Sequence, residues 1–148
     1  MDRLWSEYNL LIELYEGYND QILILKGWSV TVGVAALIAA YTQSVSSSGR
    51  IGVVIASLSA LPFWAMETSW KLFQNAYLER IVQIELCFDG MGKDCRPAQV
   101  LGSWRASYAD DKMTDWLQTA ILPHVFLPHL VLLAGGLVLA IWWPPRSA

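Results

Sequence analysis

Apolar residues in this chain fall into three long runs separated by charged stretches. They are dense from about Gln21 to Tyr41, from Ile51 to about Trp70, and from about Ile121 to Trp143. At ~1.5 Å of rise per residue, ~20 such residues cross a hydrocarbon core of ~30 Å. The pattern predicts an all-α integral membrane protein with three transmembrane helices, an N-terminal amphipathic helix and a long second helix extending into the cytoplasm. The implied segments are a cytoplasmic amphipathic helix (1–20), first span (21–42), short external loop (43–50), second span (51–70), cytoplasmic helix extension and loop (71–119), third span (120–143) and external tail (144–148).

Outside the runs the period is helical. Leu4, Tyr8, Leu11, Tyr15, Tyr18 and Ile22 recur at alternating spacings of four and three, the seam of a helix–helix contact. Glu7, Glu13 and Glu16 lie off that seam, and an acidic helix suits a protein neighbour better than anionic lipid. Ile51 to Leu86 reads as one helix of ~50 Å that leaves the membrane and keeps an apolar edge at Trp70, Phe73, Tyr77, Ile81, Ile84 and Phe88. Its simplest partner is the N-terminal seam, within the chain or from a neighbouring copy. Glycines in Asp89–Asp94 stop the helix. Cys95 to Ala109 shows no clear period, and Met113 to Ala120 reads as a short amphipathic helix.

Small residues mark the faces on which spans could approach closely. Ser29, Gly33, Ala36 and Ala40 line the first, and Gly52, Ala56 and Ala60 line the second, placed to face the first across an antiparallel hairpin. Pro62 is expected to kink the second span, Pro123 and Pro128 to make the start of the third irregular, and Gly135-Gly136 to thin its middle.

Composition agrees with the pattern. Hydrophobic residues make up 55% and charged residues 16%, against ~45–50% and ~25% for soluble domains, and there are eight Trp, a residue that collects at membrane interfaces. Acidic residues among the first twenty leave no room for a secretory signal peptide, so the first span is expected to stay as a signal-anchor. Arg3, Lys26, Lys71, Arg80, Lys93, Arg96, Arg105 and Lys112 fall on one side, and only Arg50 and Arg146 on the other. The positive-inside rule then puts the N-terminus and 67–118 in the cytoplasm, with the C-terminus external. That face is net acidic, which disfavours nucleic acid. In the reducing cytoplasm Cys87 and Cys95 are expected to be free thiols; a disulfide fits only the inverted orientation.

Few residues carry candidate chemistry. Glu67 ends the second span, where a carboxylate needs a partner, and Lys71 follows in the favourable i,i+4 order. Glu67, Lys71 and Pro62 are the pore or gating candidates, weighed against a plain interfacial salt bridge. His124 and His129 stand near the start of the third span as interfacial histidines, with haem ligation or pH gating as alternatives. Their five-residue spacing sets them ~140° apart on one helix, unsuited to sharing a metal. Cys87, Asp89, Asp94 and Cys95 match no zinc spacing. No catalytic motif is present, and neither catalysis nor a cofactor is expected.

The stretch Gly27 to Glu85, with a short hairpin, a Trp-rich exit and Tyr77-Leu-Glu-Arg80, resembles the SLATT-type and related small membrane effectors of bacterial conflict and phage-defence systems. The third span departs from their two-span plan. The resemblance implies a homo-oligomer whose spans form or open a pore when a cytoplasmic partner or signal releases it. The alternative is a non-catalytic anchor or accessory subunit of a larger membrane complex, possibly a redox one.

Overall fold

The computed structural model describes residues 1–42, 49–109 and 112–145, with the side chains of 112–114 left out of the description. The external loop predicted at 43–50 and the tail at 144–148 therefore lie largely outside the described residues. Those residues form seven helices and no strand: α1 (Asp2–Tyr41), α2 (Gly49–Leu58), α3 (Ala60–Asn75), α4 (Leu78–Phe88), α5 (Val100–Ala109), α6 (Lys112–Ala120) and α7 (Pro123–Trp142). Three stretches are long and apolar enough to cross a membrane: Asp2–Tyr41, Gly49–Phe88 and Pro123–Trp142.

Several predicted boundaries change. The amphipathic helix and the first span are one unbroken helix, because neither Gly17 nor Gly27 takes up a left-handed conformation and no proline intervenes. The long second helix, by contrast, is interrupted at Ser59 and again at Ala76–Tyr77. The first interruption follows from Pro62, which has no N–H to bond Leu58 and whose ring crowds that carbonyl. The unreadable stretch from Cys95 to Ala109 ends in α5.

The chain divides into two compact units. The first comprises Met1–Ile22 and Ser69–Thr119, the second Leu23–Thr68 and Ala120–Ala148. In the first unit large apolar side chains point inward: Leu4, Leu11, Ile81, Ile84 and Cys87 form the core, flanked by Tyr8, Ile12, Tyr15, Tyr77 and Val100. The N-terminal seam and the α4 edge therefore pair within one chain. Phe73 belongs to a different cluster, 5.2 Å from the Tyr108 ring and 6.1 Å from Trp104 of α5. Gly90, at φ 75°, turns the chain after α4, with Met91 N–H donating to Leu86 O and Gly90 N–H to Cys87 O.

A buried ion pair fixes the loop that follows. Arg80 Nε donates to Glu7 Oε1 at 3.0 Å, and the arginine is 1% exposed. Its other nitrogens reach the carbonyls of Asp94 (3.5 Å) and Arg96 (2.7 Å). Glu7 in turn accepts from the amides of Ala98 (2.7 Å) and Gln99 (3.2 Å). Burial pushes the Glu7 carboxyl up, but Arg80 and the two amides outweigh it and hold it below its ordinary value. Ala98 sits at φ 66°, a left-handed conformation costly for a residue with a Cβ, and this is the backbone whose amide Glu7 binds. Cys87 and Cys95 are joined by a disulfide, with Cα atoms 5.7 Å apart, where free thiols were expected. The loop geometry explains the pairing: the two Arg80 contacts hold the residues on either side of Cys95.

The second unit is packed the other way round. Its buried face is mostly small and polar, with four larger aliphatic residues: Leu25, Ser29, Gly33 and Ala40 on α1, Gly52, Val53, Ala56 and Ser57 on α2, Ala60, Glu67 and Thr68 on α3, and Val125, His129, Leu132, Gly136 and Ala140 on α7. Leu23, Ile24, Ile38, Ile51, Ile55, Val131 and Ile141 are exposed. Small residues inside with large apolar ones outside is an arrangement suited to lipid. The stripe on α2 was expected to face the first span, but α2 makes its closest approach to α7. Gly136 is the reason, since a Cβ there would collide with Ser57 Oγ and leave only 2.8 Å to its Cβ. Gly33 instead meets Leu132 of α7, and Ala36 is half-buried.

Two substitutions test these packings. Gly136→Ala is expected to cost about 1–3 kcal/mol through overpacking, with recovery when combined with Ser57→Gly, as read by thermal unfolding in detergent. Arg80→Met is expected to cost roughly 3–5 kcal/mol because it strands the Glu7 carboxylate, and Arg80→Met with Glu7→Leu to cost less. Equal losses in the single and double variants would remove the charge argument.

Candidate functional site

The second unit contains a chain of polar side chains among its apolar helices. Lys26 and Ser29 are three residues apart on α1 and so share a face. Glu67 comes from the second half of α3, and His129 from α7, directly after Pro128. Lys26 Nζ lies 3.1 Å from Glu67 Oε1; Glu67 Oε2 lies 3.0 Å from His129 Nε2; His129 Nδ1 lies 2.9 Å from Ser29 Oγ. Glu67 and His129 are fully buried and Ser29 is 1% exposed, while the Lys26 side chain is half-buried at 23%.

The proton positions follow from the partners. An ionised carboxylate can only accept, so His129 Nε2 donates to Glu67 Oε2, and in a neutral ring Nδ1 accepts from the Ser29 hydroxyl. If the imidazole gains a proton, Nδ1 becomes a donor and the Ser29 oxygen accepts instead. The same heavy-atom frame therefore accommodates both states, with cluster charge zero in one and plus one in the other. Lys26 faces Oε1 away from ideal hydrogen-bond directions, so this contact is an ion pair only. A carboxylate this deeply buried is costly alone, and a cation on one oxygen with a donor on the other offsets that cost.

The predicted site residues disperse. Glu67 does not pair with Lys71: Lys71 Nζ donates to Gln74 Oε1 at 2.7 Å and lies 5.7 Å from the centroid of the Tyr15 ring. Buried Gln74 donates to Tyr15 O and Asn19 Oδ1, both at 2.7 Å, so this lysine serves the first unit. Pro62 is exposed and acts on the backbone at the α2–α3 junction. His124 is exposed and His129 is at the centre, so the two histidines do part company. His129 is hydrogen-bonded, as expected of it, but fully buried, with Glu67 on one ring nitrogen and Ser29 on the other. Among the described residues no three His, Cys, Asp or Glu side chains gather as a metal site.

Sequence reading missed Lys26 and Ser29 as members of the site. Lys26 entered only as one of the basic residues on one side, and Ser29 as part of a small-residue stripe. A usable signal was present: Lys26 and Glu67 are the only charged residues in the first two apolar runs, and ionisable residues in spans face inward and pair. Ser29, His129 and Glu67 also follow the order nucleophile, base and acid, but Ser29 is shielded and its neighbouring amides belong to α1. The arrangement can hold a proton and neutralise charge.

No protein-family model, curated protein or solved structure matches this chain.

The ion pair predicts non-additivity. Lys26→Met and Glu67→Leu are each expected to destabilise the protein in detergent, and the double variant by about 1–3 kcal/mol less than their sum. Additive losses would show that Lys26 and Glu67 do not interact.

Proposed function

We propose that this chain is a small multi-pass protein of a bacterial inner membrane, acting as a homo-oligomeric, pore-like effector element. In this reading the Lys26–Glu67–His129–Ser29 chain holds the spans shut, and the first unit receives a cytoplasmic partner or signal. The observation that carries it is Glu67, a carboxylate with no exposure in a unit whose outer surface carries large apolar side chains. Intramembrane ionisable groups are costly to retain, and their usual return is a charge-dependent switch or path. Such a role fits an effector of the defence type that the hairpin and Tyr77–Arg80 resemble. Catalysis has less support, because the shielded serine meets no substrate surface.

A second reading, as an accessory subunit of a larger complex, draws on the first unit. Trp5, Leu10, Leu101 and Leu117 are exposed there, outside the predicted spans. An unlike chain could cover them.

Reconstitution of the full chain into phospholipid vesicles tests the proposal. The protein is expected to be a homo-oligomer by particle mass and nearly closed at neutral pH. Glu67→Gln is expected to raise dye-reported ion flux about tenfold, the factor for ~1.4 kcal/mol of lost closure. A monomer whose flux is unchanged by Glu67→Gln would sink this reading, and stable co-purification of an unlike subunit would favour the second.

A further inference from the structure

We propose that Cys87 and Cys95 are a reversible thiol–disulfide site, a redox modification site on the first unit that is independent of the intramembrane cluster. Two observations point in opposite directions and are reconciled by a bond that forms and breaks. The sulfurs are paired in the structure, whereas eight of the ten basic residues mark the side carrying them as cytoplasmic, where lasting disulfides are rare and reversible ones serve sensing or catalysis.

The loop is prepared for this chemistry by contacts that need no disulfide. Arg80 holds the carbonyls of Asp94 and Arg96, the two neighbours of Cys95. Glu7 holds the amides of Ala98 and Gln99. Arg96 grips Asp94 through both of its carboxylate oxygens, at 3.0 and 2.9 Å. Gly92 lies so close to Cys87 that a Cβ would fall against Sγ and only 2.8 Å from its Cα, so the loop closes over Cys87 only with glycine there. Cys95 is thus kept near Cys87 whether or not the bond exists. Their accessibilities differ: Cys95 is exposed, while Cys87 is 6% exposed and part of the apolar core.

That difference sets the order of exchange with a low-molecular-weight disulfide, RSSR. The Cys95 thiolate attacks one sulfur, forming a mixed disulfide and releasing RS⁻. The Cys87 thiolate then attacks the Cys95 sulfur, closing the protein bond and releasing the second RS⁻. Two cysteine thiols are oxidised, RSSR is reduced to two RSH, and the two cysteine protons end on those thiols. An excess of small thiol runs the sequence backwards. Closure seals residues 87–95 into a covalent ring.

The test counts thiols on the full-length protein in intact cells, using acid quenching and a maleimide polymer that retards the chain on a gel once per free cysteine. Untreated cells are expected to give two additions, cells exposed to a membrane-permeant disulfide none, and the same cells returned to dithiothreitol two again. Cys95→Ser is expected to give one addition under all three conditions, showing that the polymer reaches Cys87 after denaturation. A chain with no additions in untreated cells would overturn the proposal and place the first unit in an oxidising compartment. Two additions after the oxidant would overturn it by showing that the pair does not close.

Discussion

The cost of burying the Glu67 carboxylate governs the second unit. A lone ionised group among apolar helices is paid for only by close partners, and here they come from two other helices: Lys26 of α1 and His129 of α7. That requirement fixes which face each helix turns inward. On α1, Ser29 and Gly33 follow Lys26 on the buried side, and on α7 the face of His129 also carries Leu132, Gly136 and Ala140. Small residues let the backbones come close enough for short polar side chains to meet. Gly136 against Ser57 brings α2 to α7, and four residues further along α7 the Ala140 carbonyl accepts from Arg50 Nε at 3.1 Å.

The first unit depends on a second buried charge pair, with different logic. Its core is made of large aliphatic and aromatic side chains at coiled-coil spacing, so helix pairing there follows from apolar burial. The Glu7–Arg80 pair adds little that the helices need. What it organises is the irregular segment after α4, where regular hydrogen bonding stops and polar backbone groups need other partners. Salt-bridged Asp94 extends the arrangement at the surface, where Arg96 holds its carboxyl well below the usual carboxylate range.

The helices were legible in the sequence because their period was strong: the seam from Leu4 to Ile22, the edge from Tyr77 to Ile84 and the three apolar runs all reappear as helical faces. Glu67 also stood out, since a charge at the end of an apolar run is conspicuous without any structure. Its partners were not legible. Local spacing favoured Lys71, four residues on, whereas Lys26 and His129 lie 41 and 62 positions away and depend on which faces of α1 and α7 turn inward. The loop from Asp89 to Gln99 was opaque for a related reason. Its order comes from Glu7 and Arg80, residues that look like ordinary solvated charges on an amphipathic pattern. Pro62 was read correctly as a disturbance, but only the structure locates the interruption at Ser59.

The clamp on that loop grips main chain. Arg80 binds carbonyl oxygens, and Glu7 binds amide hydrogens, so neither reads which side chain occupies positions 94, 96, 98 or 99. The side chains at 94, 96 and 99 are held instead by one another, through the Arg96 and Gln99 contacts to Asp94. Two layers thus order the same segment: a main-chain grip from two residues 73 positions apart, neither easily exchanged alone, and a local side-chain grip that can be re-made from other residues as a set.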